Sequence, residues 1–325
     1  VKLHVGERGC DTYLHPVFVR QVVDKVKEQG AHPFITDTAT LYAGSRADAV
    51  RHTATAIEHG FAYAVSGAPV IIADGLSGGY WREVAIDGKH FQRVKIAGSI
   101  LDADSMLVLS HVKGHDTAGL GGAIKNLAMG CAPPVGKAEQ HAARPCLEAG
   151  NCIGCGMCTL VCPQAAMTVV DGRAKFNPEH CVGCGDCVRA CPEGALDFDW
   201  TTEIRPFLER LCEYALGAVR SKPGRVGYIN FLLNITPDCD CVPWSDATIV
   251  PDIGILASTD PVAIDRASFD LVNNEQGFAR THLAANLAPG EDKFKGVWDY
   301  TDGDYQIAYA ARIGLGEEAY RLIEV

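Results

Sequence analysis

The sequence predicts an α/β fold in which a mainly parallel sheet is flanked by helices and interrupted by a small inserted α+β unit. Two observations lead there. Short apolar runs of strand length alternate with stretches of helical periodicity on both sides of residue 150, as in βα units that lay their strands in parallel. Between Cys152 and Cys191 that alternation stops, and a cysteine pattern repeats at a spacing of 29 residues. The expected division is a discontinuous α/β domain, residues 1–146 and 201–325, with an insertion at 147–200. A chain of 325 residues has room for about two domains.

In chain order, Val1, Leu3 and Val5 alternate with Lys2 and His4, a strand with one apolar and one polar face. Gly6 to Gly9 is a turn. Pro16 opens a helix whose Val19, Val22, Val23 and Val26 fall at helical spacing, and Gly30 stops it. Residues 34–37 form a short strand ending in Asp37, and Ser45 caps a helix running to His59. Residues 69–73 make a buried strand. Two strands around Asp87-Gly88 read as a hairpin. Residues 105–110 are a strand and 119–129 a helix, with 132–146 less ordered. After the cysteines come a helix at 203–217, strands at 226–233 and 253–257, and a helix from Pro261. Two helical pieces, 304–313 and 316–323, close the chain.

The repeated pattern is Cys152-x-x-Cys155-x-x-Cys158-x-x-x-Cys162-Pro, then Cys181-x-x-Cys184-x-x-Cys187-x-x-x-Cys191-Pro. Each run has the bacterial ferredoxin spacing for a [4Fe–4S] cluster, whose fourth cysteine serves the other cluster. The expected ligand sets are Cys152, Cys155, Cys158 and Cys191, and Cys181, Cys184, Cys187 and Cys162. The insertion is therefore expected to be a ferredoxin-like 2×[4Fe–4S] unit. Zinc modules pair short knuckles across a longer gap and do not need this duplicated run. Gly154, Gly156, Gly183 and Gly185 would let backbone N–H groups turn toward cluster sulfurs.

The composition is that of an ordinary globular protein, 47% hydrophobic and 21% charged. A net charge of −11 opposes nucleic-acid backbones and anionic membranes. No apolar run approaches the ~18 residues of a membrane span. Oxygen-labile clusters, with six further cysteines in a chain able to build a large core, point to a reducing cytoplasm.

Outside the cysteine runs, polar groups gather where strands end, the usual place for ligands in an open α/β sheet. The densest stretch runs from His111 through Lys113, His115, Gly119, Gly121 and Gly122 to Lys125. Free N–H groups at the following helix start, with Lys113 and Lys125, would hold a carboxylate or phosphate. His111 or His115 would move a proton near neutral pH. On the bland reading, the glycines only permit close packing and the histidines are hydrogen-bonded in place. Asp238-Cys239-Asp240-Cys241 is a second feature. Its thiolates could chelate a metal, with Cys10 or Cys131 completing the set, or form a redox pair or two buried thiols.

KLHVGERG at 2–9, ITDTATLYAGSR at 35–46, HVKGHDTAGLGGAIKNLAMGC at 111–131 and the stretch 237–267, together with the cysteine insertion, resemble iron–sulfur members of the family known as domain of unknown function 362. The resemblance spans nearly the whole chain. It implies a further βα segment ahead of Val1 and no defined activity. His115, the glycines at 119–122 and Lys125 are also similar, more weakly, to a loop of nickel-dependent lactate racemase. There the lysine anchors a nickel-pincer nucleotide and the histidine is an acid/base. The resemblance implies a pocket, but not the nickel cofactor, because a racemase needs no electron supply.

The expected function is an iron–sulfur oxidoreductase or redox subunit. Two [4Fe–4S] clusters would pass electrons to an anionic substrate or cofactor on the α/β domain. His115 and Lys125 are the catalytic candidates, and His111, Lys113, Gly119, Gly121 and Gly122 the binding ones. An organic cofactor such as a flavin is compatible, although no flavin motif is present. The partner would be a redox protein or an anionic small molecule. The competing readings are an electron-transfer or assembly protein with no substrate of its own, and an acid/base isomerase with structural clusters.

Overall fold

The computed structural model describes residues 1–148, 150–181 and 184–325; Gly183 lies outside them. It is a mixed α/β structure. Its central sheet is built around the N-terminal residues. Lys2 makes parallel bridges to Thr36 on one side and Val108 on the other. Ile35–Asp37 continues in parallel to Val70–Ile72, and Met106–His111 in parallel to Val226–Leu232. Gly254–Ser258 then closes the edge antiparallel to Val226–Leu232.

A mainly parallel architecture is not what forms. Of the seven strand pairings among the described residues, two are parallel and five antiparallel. Parallel pairing needs a long crossover, whereas a short connection returns the chain as a hairpin. Trp81–Ala85 with Arg93–Ala97 is the hairpin expected around Asp87-Gly88.

Helix Pro16–Glu28 buries Val19 and Val23 beneath the sheet, and Pro16 takes its first turn. The amphipathic helix Ile204–Arg220 buries Phe207, Leu208, Leu211, Cys212 and Tyr214, the centre of the largest core cluster. Among the described residues no helix is long and apolar enough to cross a membrane.

Several elements differ from expectation. Asp48, not Ser45, caps the helix Ala49–Ala56 by accepting from the Arg51 N–H. The stretch read as less ordered contains the helix Pro134–His141. Residues 316–323 are not helical. Gly314 sits at φ +77°, and a Cβ on Gly316 would lie 2.1 Å from Asp260 Oδ1, so the chain packs there as a loop. Residues 119–121 are not the first turn of a helix. They are a short strand paired with Lys113–His115, and the helix begins only at Ala123.

Asp265 starts that helix from a distance. Its carboxylate accepts the N–H groups of Ala123 (2.7 Å) and Ile124 (2.8 Å) and the Asn230 side-chain amide (2.8 Å). A Cβ on Gly122 would lie 2.4 Å from Asp265 Oδ1, so glycine is what lets the carboxylate approach. Asp265→Ala strands these three buried donors and is expected to cost about 3 kcal/mol, read from the shift in the urea midpoint.

Residues 144–199 carry two antiparallel pairs, Arg144–Leu147 with Leu196–Asp199 and Met167–Val170 with Arg173–Phe176. The short helices Met157–Val161 and Asp186–Arg189 follow the first two cysteines of each run and carry the third, Cys158 and Cys187. Met167, Ala174 and Leu196 share a small apolar cluster with Cys158 and Cys187.

Candidate functional site

The carboxyl ends of the central strands bring charged residues together under the sheet rim. Lys2, on the polar face of the first strand, is fully buried. Its Nζ donates to Asp37 Oδ1 (3.0 Å) and Asn126 Oδ1 (2.7 Å). The other Asp37 oxygen faces His52 Nε2 at 3.6 Å and Arg46 Nη1 at 3.7 Å. Against the cost of burial, Lys2 and the two histidines, His4 and His52, hold the Asp37 carboxyl well below its usual range. Arg46 also binds Glu7 (3.1 Å) and the Tyr42 hydroxyl (2.6 Å).

The loop after Val226–Leu232 supplies the next layer. Asp240 faces His111 Nδ1 with Oδ1 (2.9 Å) and Lys113 Nζ with Oδ2 (3.0 Å). Although burial opposes ionisation, these two partners hold its carboxyl far below the normal value. His111 Nε2 lies 3.0 Å from the Asn234 carbonyl, and Lys113 Nζ donates to the His111 carbonyl at 2.9 Å. His111 and Lys113 are thus engaged in fixing the Cys239–Cys241 loop. The helix-start N–H groups expected to receive an anion are held by Asp265. Gly119, at φ +72°, and Gly121 form the turn-back strand against Lys113, and Gly122 makes room for Asp265.

His115, Lys125 and Cys239 do meet. Lys125 Nζ donates to Cys239 Sγ at 3.0 Å. One ligating atom each from His115, Cys239 and Cys241 lies within 4.8 Å of the others. A hydrogen bond from Cys241, then the nearby Lys125, Lys113 and His115 acting against burial, push the Cys239 thiol well down. Cys241, as the donor, is pushed well up. Cys10 and Cys131 do not join this group. Cys10 Sγ sits near the hydroxyls of Ser245 (3.6 Å) and Thr12 (3.7 Å), and Cys131 reaches the Asn126 carbonyl at 4.0 Å.

A cavity of about 100 Å³ opens beside these groups, lined by Arg46, His115, Lys125, Lys137, His141 and Trp200 among others. Burial lowers His141 to about 3, so it is neutral. Burial also lowers Lys137 to about 8, while its Nζ donates to Thr38 Oγ1 and the Ala39 and Ala132 carbonyls at 2.6–2.7 Å. A lysine depressed on folding contributes stability above its unfolded pKa that is lost as pH falls through the folded value. Stability should therefore rise from pH 8 toward 10.5, and Lys137→Met should flatten that rise, as followed by urea unfolding across that window. A larger groove of about 690 Å³ runs between Trp81 and Cys184. Its lining mixes charges of both signs and has no convergent set of reactive groups.

The cysteine runs line two separate hollows. One takes Cys152, Cys155, Cys158 and Cys191; the other takes Cys162, Cys181, Cys184 and Cys187. Backbone N–H groups point at sulfurs of both runs: Ala166 to Cys162 (3.2 Å), Ala195 to Cys191 (3.2 Å) and Ala174 to Cys152 (3.4 Å). Aromatic contacts lead from the second hollow to the charged cavity. A Cβ on Gly185, which lines that hollow, would lie 2.8 Å from Phe198 Cζ. The Phe198 and Trp200 rings are 5.3 Å apart, and those of Trp200 and His141 5.2 Å.

Sequence reasoning missed Arg46, Tyr42, Lys137, His141 and Trp200 as site residues. Tyr42 and Arg46 lie within the quoted 35–46 stretch. Lys137 and His141 belong to the unforeseen helix, and no local spacing marks them.

A family model described as Domain of unknown function (DUF362) matches residues 1–270. No curated protein matches the chain. Among solved structures, the lactate racemase apoprotein from Thermoanaerobacterium thermosaccharolyticum aligns at 12% identity with a TM-score of 0.35, over 67% of this chain and 40% of that one. The chain thus spans less than half the length of that protein.

Proposed function

The chain belongs to the family Domain of unknown function (DUF362), and on that premise we propose that it is an iron–sulfur redox protein. In this reading it delivers electrons to a small anion held in the cavity beside Lys125. The observation that carries the reading is the sorting of the eight cysteines. Each hollow takes three from one run and the fourth from the other, the exchange that two ferredoxin-type [4Fe–4S] clusters require. The donor set fits: four soft thiolates per hollow, with N–H groups aimed at sulfur to stabilise negative charge. Two [4Fe–4S] clusters bound there would supply single electrons.

The remaining roles belong to the protein. Phe198, Trp200 and His141 pack as a line from the second hollow to the cavity wall. Arg46, Lys125 and Lys137 give the cavity cationic groups to orient an anion. Lys137 keeps its three N–H groups on Thr38, Ala39 and Ala132 and contributes charge to the wall. At about 100 Å³ the space falls well below the ~300–1,000 Å³ of pockets for drug-sized ligands, so the substrate is a small one.

Anaerobic purification tests the reading. About eight irons and eight acid-labile sulfides per chain are expected, with paramagnetic signals after reduction. A folded protein without iron, whether zinc or no metal fills the two hollows, would overturn it.

A further inference from the structure

We propose that His115, Cys239 and Cys241 form a mononuclear site for a borderline-soft divalent cation of the zinc type, separate from the two cysteine runs. The ligating atoms of the three residues converge within 4.8 Å of one another, close enough for one ion to reach all of them. They come from two places in the chain. His115 ends the short strand Lys113–His115, and Cys239 and Cys241 sit on the loop following Val226–Leu232. Asp240, between the two cysteines, turns away to His111 and Lys113, so both thiols can face the same point.

The donor set selects the ion. Two thiolates and an imidazole suit a borderline-soft divalent cation and not magnesium or calcium. Three protein ligands leave a fourth, open position, the arrangement of reactive zinc sites and not of closed structural ones. That position has somewhere to open, because His115 and Cys241 both line the cavity of about 100 Å³.

Two further groups support the ligands. Lys125, 3.0 Å from Cys239 Sγ, offsets thiolate charge without occupying a coordination position. Asp116 Oδ1 lies 2.9 Å from His115 Nδ1, the carboxylate–histidine pairing that leaves Nε2 for a metal. In the structure Nδ1 accepts the N–H groups of Thr117 (3.0 Å) and Ala118 (3.1 Å). Binding through Nε2 requires the proton to move to Nδ1, with Asp116 replacing these two donors as its partner.

The test exposes the anaerobically purified full chain to Zn²⁺, removes loose metal by dialysis, and measures zinc and iron together. One tightly held zinc per chain is expected, absent from C239S/C241S protein that is folded by circular dichroism and unchanged in iron. The proposal is overturned if the wild type retains no zinc, or if the folded double variant retains it. If that variant does not fold, zinc-edge X-ray absorption of the wild type decides. Two sulfurs at about 2.3 Å and a nitrogen at about 2.0–2.1 Å support the site; a four-sulfur or oxygen-only shell overturns it. Iron at about eight with no zinc removes this site and leaves the cluster reading standing. The mixed sulfur–nitrogen zinc shell without iron does the reverse.

Discussion

Replacing Cys191 by alanine is expected to halve the iron content, from about eight to about four per chain, by emptying the hollow that holds Cys152, Cys155 and Cys158. Cys191 belongs by sequence to the second run, yet it lines the first hollow; Cys162 does the converse. Iron counts on double variants therefore separate the two pairings. Cys191→Ala combined with Cys155→Ala should lose no more iron than either change alone. Cys191→Ala combined with Cys184→Ala should lose nearly all of it. The opposite pattern would mean that each run serves its own cluster, and the reading of two exchanged ligand sets would fall.

Asp240→Ala is expected to destabilise the fold by about 3–5 kcal/mol, the usual cost of removing one partner from a buried ionic cluster. Asp240 is fully enclosed, and its two oxygens face His111 and Lys113. Losing it leaves a buried ammonium and an imidazole without their carboxylate, in the loop that carries Cys239 and Cys241. The companion variant Asp240→Leu/Lys113→Met removes both sides of one pair and should recover a substantial part of the loss. Urea unfolding of wild type, single and double variants measures this. A single variant within about 1 kcal/mol of wild type, the range of exposed ion pairs, would show that Asp240 does not organise this loop.

Much of the secondary structure was legible because its signals are local. The valines of Pro16–Glu28 fall at helical spacing after a proline suited to the first turn. Asp87-Gly88 marks the turn of the Trp81–Ala85 and Arg93–Ala97 hairpin. Asp260 caps Pro261–Asn274 through the Val262 and Ala263 N–H groups. The misreadings arise where a distant group decides. Gly119 to Gly122 resemble a helix start open to an anion, but the carboxylate that fills it comes from Asp265, more than 140 residues along the chain. Lys2 alternates as a solvent-facing residue would. It is buried because strands close over it on both sides, leaving Asp37 and Asn126 to pair its charge.

The charged site follows the same division. His115 and Lys125 stand out in the sequence because they flank a Gly-rich turn. Arg46, Lys137 and His141 reach the same cavity from other segments, which no spacing connects. His115 joins Cys239 and Cys241 across more than 120 residues, whereas the sequence alone offered Cys10 or Cys131 as partners.

The sequence by itself determined the spacing of two cysteine runs, the placement of most helices and hairpins, and the residue types available for redox and anion chemistry. These depend on neighbours within a few turns of chain, where periodicity, capping and steric limits act. Only the tertiary structure decided which strands run antiparallel, and which charges are paired and which face a cavity. Those outcomes depend on pairing buried charges and filling space between segments far apart in the chain, and no local pattern encodes that requirement.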